Sequence, residues 1–82
     1  MLYFTYVLLS LKNGDLYVGS TGDVDNRLKK HNTGKVRSTK TNRPWRLLEY
    51  YTFNARSEAV RHEHFLKSHQ QKELIRKRHD LE

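Results

Sequence analysis

The run Leu2-Tyr3-Phe4-Thr5-Tyr6-Val7-Leu8-Leu9-Ser10-Leu11-Lys12-Asn13-Gly14-Asp15-Leu16-Tyr17-Val18-Gly19 decides how this chain folds. Its first ten residues are rich in aromatic and β-branched side chains, which pack well on a pleated surface. Asn13-Gly14 then supplies most readily the two positive φ angles of a tight hairpin turn, so a second short strand starts at Leu16. With those two as the turn residues, Lys12 faces Asp15 and Leu8 faces Gly19. Side chains alternate with period two, which puts Tyr6, Leu8, Tyr17 and Gly19 on one face of the hairpin.

Downstream, Asp23 is the expected N-cap of a helix running to about His31, with Asn32-Thr33-Gly34 as its stop. From Gly34 to Pro44 the chain carries Lys35, Arg37, Lys40 and Arg43 among small polar residues, the composition of a mobile basic loop. Trp45 to Phe53 reads as a third strand, although Glu49 interrupts its alternation. Asn54 or Ser57 caps a second main helix from about Ser57 to Ser68 or His69; Gln70 to Leu81 either continues it or forms a separate charged helix. The order β-β-α-β-α-α predicts an α+β fold, a small three-stranded and mainly antiparallel sheet flanked by helices. A single domain over residues 1–82 is expected, with a motif-bearing core over about 3–67 and a charged helical segment over about 70–82.

Composition narrows the possibilities. At 82 residues and 35% hydrophobic content there is material for one efficient core and not for two. The absence of cysteine removes disulfides, thiolate zinc sites and thiol nucleophiles together. No apolar run approaches the roughly 20 residues that span a bilayer, and no basic residue precedes the first apolar stretch as in a secretory signal, so a cytoplasmic protein without membrane contact is expected. The net charge of +7 favours polyanions, which leaves open nucleic acid, an anionic membrane surface or simply good solubility.

Helical geometry singles out a few polar residues. Measured from Val24, Leu28 points at about 40°, His31 at about 340° and Arg27 at about 300°, whereas Asn26, Lys29 and Lys30 face the other way. Arg27 and His31 therefore border the buried stripe. Measured from Ala59, Leu66 lies at about 340° and Glu63 at about 40°, which sets a carboxylate inside an apolar arc. Such a group needs a cation, a set of donors or a wet cleft. A structural Arg27–Glu63 salt bridge satisfies this as well as a functional site does, and two tyrosines on a strand face are commonly packing residues. Tyr6, Tyr17, Arg27, His31 and Glu63 nevertheless come from different elements and can all project toward one space between sheet and helices.

These residues carry a resemblance to the GIY-YIG nuclease superfamily. The two namesake triplets are Thr5-Tyr6-Val7 and Tyr17-Val18-Gly19, followed by Arg27 and His31 on the first helix and Glu63 on the helix after the third strand. Gly34, Thr39, Arg43-Pro44-Trp45 and Glu58-Ala59 further resemble small stand-alone bacterial members, and the match runs from about Tyr3 to Lys67. Thr5, Val7 and Val18 depart from the namesake residues but keep strand character.

The resemblance implies divalent-metal-dependent hydrolysis of phosphodiester bonds. Glu63 would hold one Mg²⁺ or Mn²⁺, hard ions that accept a single carboxylate and keep their waters. Zinc suits the chain poorly, because His62 and His64 point in different directions on a helix and no cysteine completes a site. Arg27 would donate to the scissile phosphate. Tyr17 is the choice for activating water, with Tyr6 and His31 completing the network, although Tyr6 could equally be the base; either phenol needs nearby positive charge to lose its proton. Gly19 would permit a close approach at the cleft. Lys35, Arg37, Lys40 and Arg43, with Lys67, Lys72, Arg76, Lys77 and Arg78 as weaker candidates, would follow a phosphate backbone. The expected function is a structure- or damage-directed DNA endonuclease with weak sequence specificity, as in DNA repair. The alternatives are a non-catalytic nucleic-acid-binding module with the same fold and a protein-interaction adaptor.

Overall fold

The computed structural model describes residues 1–81 of the chain, so the last residue of the expected 70–82 segment, Glu82, lies outside the described residues. Strands β1 (Tyr3–Ser10), β2 (Leu16–Thr21) and β3 (Trp45–Phe53) form one antiparallel sheet in the order β2-β1-β3. Helices α1 (Val24–Asn32), α2 (Arg56–Leu66) and α3 (His69–Arg78) complete the β-β-α-β-α-α order. Among the described residues no helix is long and apolar enough to cross a membrane.

The central strand β1 feeds two cores through its pleat. Val7 and Leu9 pack with Leu16 and Val18 of β2, Leu66 of α2 and Ile75 of α3. Tyr6 and Leu8 point to the opposite face, where Trp45, Tyr17, Leu28 and Leu47 surround them. Helices α2 and α3 therefore cover one side of the sheet and α1 the other.

The hairpin register differs from expectation by two residues. Leu8 pairs with Tyr17 and Tyr6 with Gly19, and the Ser10 amide bonds to the Asp15 carbonyl, so four residues, Leu11 to Gly14, make the turn. Ser10 organises it: its hydroxyl accepts from the amides of Lys12 and Asn13, and its carbonyl accepts from Gly14, whose φ of +81° suits glycine. An even slip keeps every side chain on its expected face. Glu49 is explained by a bulge in β3: Val7 pairs with Glu49 but Leu8 with Leu47, leaving Leu48 as the extra residue.

Helix α1 starts where expected, with the Asp23 side chain accepting from the Asn26 amide. Helix α2 is capped neither by Asn54 nor by Ser57. Its N-cap is Ala55, whose amide donates to the Glu58 carboxylate. The helical run breaks at Lys67, and Ser68 caps α3 as a separate helix by accepting from the Gln71 amide. The basic loop is folded rather than loose. Residues Lys40–Asn42 form a 3-10 turn, the Ser10 hydroxyl donates to the Asn42 carbonyl, and the Trp45 indole donates to the Thr39 carbonyl.

Glu49 fastens α3 to the sheet. Its carboxylate accepts from Arg78 at 2.7 Å and from the Tyr51 hydroxyl, and lies 2.6 Å from His79 Nε2. Burial opposes the charge, but the hydrogen bonds from Arg78, Tyr51 and His79 prevail and hold the carboxyl down at about 2. A folded value below the ordinary 4.5 contributes stability that is complete above about pH 4.5 and is lost as the pH falls toward 2. With Arg78 half exposed, about 1–2 kcal/mol is expected. Glu49→Gln should lose about that much at pH 7, and its urea midpoint should fall less steeply than the parent's between pH 4.5 and 2; identical pH profiles would contradict the latch.

Candidate active site

Tyr6 lies at the centre of the site. Its ring is 2% exposed, and its hydroxyl is 2.9 Å from His31 Nε2. The opposing residue on β2 is Gly19, and a methyl group there would stand 2.5 Å from the Tyr6 hydroxyl oxygen and 3.1 Å from the Tyr17 ring. Gly19 thus makes room for the phenol itself rather than for a helix or substrate. Burial pushes the Tyr6 pKa up to about 12, against the opposing pull of the nearby Arg27 guanidinium. The charges of Arg27 and Glu63 and the Tyr17 phenol also act on this hydroxyl. One oxygen therefore lies within electrostatic reach of the other candidates, with His31 bonded to it directly.

Helix α1 supplies Arg27 and His31 as its periodicity requires. His31 is fully buried and Arg27 half-buried, while Asn26, Lys29 and Lys30 are exposed. Burial first, and the Arg27 charge second, push His31 down to about 4, so its imidazole is neutral near pH 7. The second ring nitrogen, Nδ1, lies 2.7 Å from the Thr39 hydroxyl. Tyr17, half-buried, sets its ring edge-on to His31 at 4.9 Å and tilted toward Tyr6 at 6.3 Å.

Glu63 approaches from the other side of the sheet. It stands on α2, and its partner Ser20 projects from β2 on the Val18 face, opposite to Tyr17 and Gly19. The space is thus not a single interlayer cavity: the site straddles the β2 edge, with Tyr6, Tyr17, Arg27 and His31 on the α1 side. The alternative of a structural Arg27–Glu63 salt bridge gives way to another arrangement. Ser20 donates to Glu63 Oε1 at 2.8 Å, and the Lys67 ammonium lies 2.7 Å from Oε2. Burial opposes ionisation of Glu63, but the bonds from Lys67 and Ser20 and the Lys67 charge outweigh it and hold the carboxyl below its ordinary range.

A hard divalent ion fits this donor set, which offers an ionised carboxylate and a hydroxyl oxygen and already attracts a cation. Among the described residues no three His, Cys, Asp or Glu side chains gather as a zinc cage would require. His62 turns away to pack on Tyr51 and Phe53. Of the loop cations, Lys35, Arg37, Lys40 and Arg43 are all exposed, but Arg43 is pinned. Its Nε donates to the Lys40 carbonyl, and its guanidinium lies across Gly34. Sequence reasoning gave no role to Ser20 or Thr39. The regular alternation of β2 could have marked Ser20 as facing α2, whereas Thr39 sits in a loop without periodicity.

Gly19→Ala should cost about 1–3 kcal/mol, since a 2% exposed ring has nowhere to retreat. Tyr6→Phe introduced into that variant should recover part of the loss, because the hydroxyl oxygen makes the closest contact. Urea unfolding of the single and double variants tests this; purely additive effects would rule out the clash.

Comparisons with known proteins agree with this architecture. The GIY-YIG catalytic domain family matches residues 2–78. UPF0213 protein BH0048 of Halalkalibacterium halodurans is 40% identical over 68 residues, covering 82% of this chain and 71% of that protein. A UPF0213 protein of Streptococcus agalactiae is 43% identical over 65 residues, covering 78% of this chain and 73% of that one, and one of Staphylococcus epidermidis is 33% identical over 75 residues, covering 90% of both. The solution NMR structure of UPF0213 protein BH0048 from Bacillus halodurans superposes with a TM-score of 0.56 at 38% identity, covering 92% of this chain and 82% of that one. With the family match running over nearly its whole length and relatives up to 43% identical, the chain belongs to the GIY-YIG catalytic domain family.

Proposed function

We infer that this protein is a divalent-metal-dependent endonuclease that hydrolyses phosphodiester bonds in DNA, directed by damage or altered structure more than by sequence. The observation that carries this reading is the cluster of Tyr6, Tyr17 and His31, in which the Tyr6 hydroxyl lies 2.9 Å from His31 Nε2 and the charges of Arg27 and Glu63 act on it. Glu63 would hold Mg²⁺ or Mn²⁺, displacing the Lys67 ammonium from Oε2. The bound ion would neutralise phosphate charge and stabilise the leaving oxygen.

The chain's own residues divide the remaining work. Arg27, whose guanidinium can only donate, binds the scissile phosphate as negative charge builds on it. Tyr6 stays protonated, with its pKa near 12 and its hydroxyl buried against His31, which disfavours it as the base. Tyr17, half-buried beside the same histidine, is the better group to orient and deprotonate water. Lys35, Arg37 and Lys40 line an exposed track for the phosphate backbone, a mode of contact that gives weak sequence specificity.

A panel of nicked, flapped, branched and single-stranded DNA with Mg²⁺ or Mn²⁺ tests this function. Glu63→Ala should lose at least about 100-fold in cleavage while retaining most of its binding, and Tyr17→Phe should lose more than Tyr6→Phe. Metal-independent binding without cleavage of any substrate would favour a binding module instead, and Glu63→Ala cutting at the parental rate would remove Glu63 from the mechanism. Separately, neutralising Lys35, Arg37 and Lys40 together should flatten the plot of log affinity against log salt by about 2–3, at roughly 0.7–0.9 for each phosphate left without its cation. An unchanged slope would take the loop out of the interface.

A further inference from the structure

Thr39 is buried to 1% exposure within a loop whose cations face solvent. It is held on several sides: its amide donates to the Val36 carbonyl at 3.1 Å, its carbonyl accepts from the Trp45 indole at 3.0 Å, and its hydroxyl lies 2.7 Å from His31 Nδ1 and 3.3 Å from the Val36 carbonyl. Phosphate contact by the loop requires no such residue. Its hydroxyl instead belongs to a polar chain that runs from Val36 through Thr39 and His31 to Tyr6, with the Arg27 charge acting on the last hydroxyl.

That chain has a direction. A neutral imidazole carries one donor and one acceptor nitrogen. The Val36 carbonyl can only accept, so the Thr39 proton goes to it and a Thr39 lone pair is left for Nδ1–H. At the far end, among the described residues, His31 Nε2 is the group hydrogen-bonded to the Tyr6 hydroxyl, and the nearby Arg27 guanidinium has no lone pair to offer, so the phenol proton is left for Nε2. Both ends require the same ring, protonated on Nδ1 and bare on Nε2. The opposite tautomer would aim Nε2–H at the phenol oxygen and leave the buried phenol proton without its acceptor, an expensive arrangement.

We propose that Thr39 is a positioning residue of the hydrolytic site: by accepting from Nδ1–H it fixes His31 in the tautomer that receives the Tyr6 proton, and so ties the fold of the basic loop to the hydrogen bonding of the site. The catalytic consequence rests on the nuclease reading above; the tautomer does not. Valine at this position fills a similar volume without a hydroxyl, whereas serine keeps one.

Long-range ¹⁵N–¹H NMR of the His31 ring, recorded on the full chain without substrate, tests the tautomer directly. The parent and Thr39→Ser should show Nδ1 protonated and Nε2 bare, and Thr39→Val should shift the ring toward the Nε2–H form. In DNA cleavage with Mg²⁺ or Mn²⁺, Thr39→Val should lose about tenfold or more in kcat with little change in KM, and Thr39→Ser should restore it. An Nε2–H ring in the parent overturns the proposal whether or not the valine variant folds, as does a Thr39→Val protein with the parental ring and parental kcat. A parent that shows the expected ring, lost in Thr39→Val, but cuts no DNA would support the hold of Thr39 on His31 while overturning the nuclease reading alone.

Discussion

The Tyr6 phenol reaches His31 because the residue across from it on β2 has no side chain. The pleat of β1 sends Tyr6 away from the α2–α3 core, the register sets it opposite Gly19, and the vacated volume lets its hydroxyl lie beneath α1. Other features of the site depend on that placement. His31 can be buried and neutral because the phenol and Thr39 satisfy both of its nitrogens. The Arg27 charge acts on the same phenol, while Glu63 is bonded to Ser20 and Lys67.

Much of this was legible in the sequence. Strand limits and helix starts were readable to within two residues, whereas α2 ends at Leu66 and α3 at Arg78, up to three residues short of expectation; the 100° periodicity of α1 sorted Arg27 and His31 from Asn26, Lys29 and Lys30 correctly. The hairpin register was misread because Asn13-Gly14 signals a two-residue turn, whereas the Ser10 hydroxyl captures two amides and closes a four-residue one. The faces survived, since parity and not register assigns them.

What stayed illegible depends on tertiary contacts. Alternation along β3 fails at Glu49 because Leu48 bulges, and a bulge is chosen by the partner strand rather than by local propensity. The loop from Gly34 to Pro44 has the composition of a mobile segment, yet Thr39, one small polar residue among many, is buried by His31 and Trp45, which lie outside that segment. Periodicity set Glu63 on the inward stripe of α2 but carried no information on which side of the sheet that helix would pack.

The location of the site on β2 also limits how such a domain can grow. A three-stranded sheet has two free edges, each a template for pairing. One of them, β2, carries Tyr17, Gly19 and Ser20, so a strand added there would run across the cleft and screen it from a nucleic acid. The β3 border lies beyond the central strand from these groups, which leaves it as the side where accessory modules could be grafted with the cleft still open.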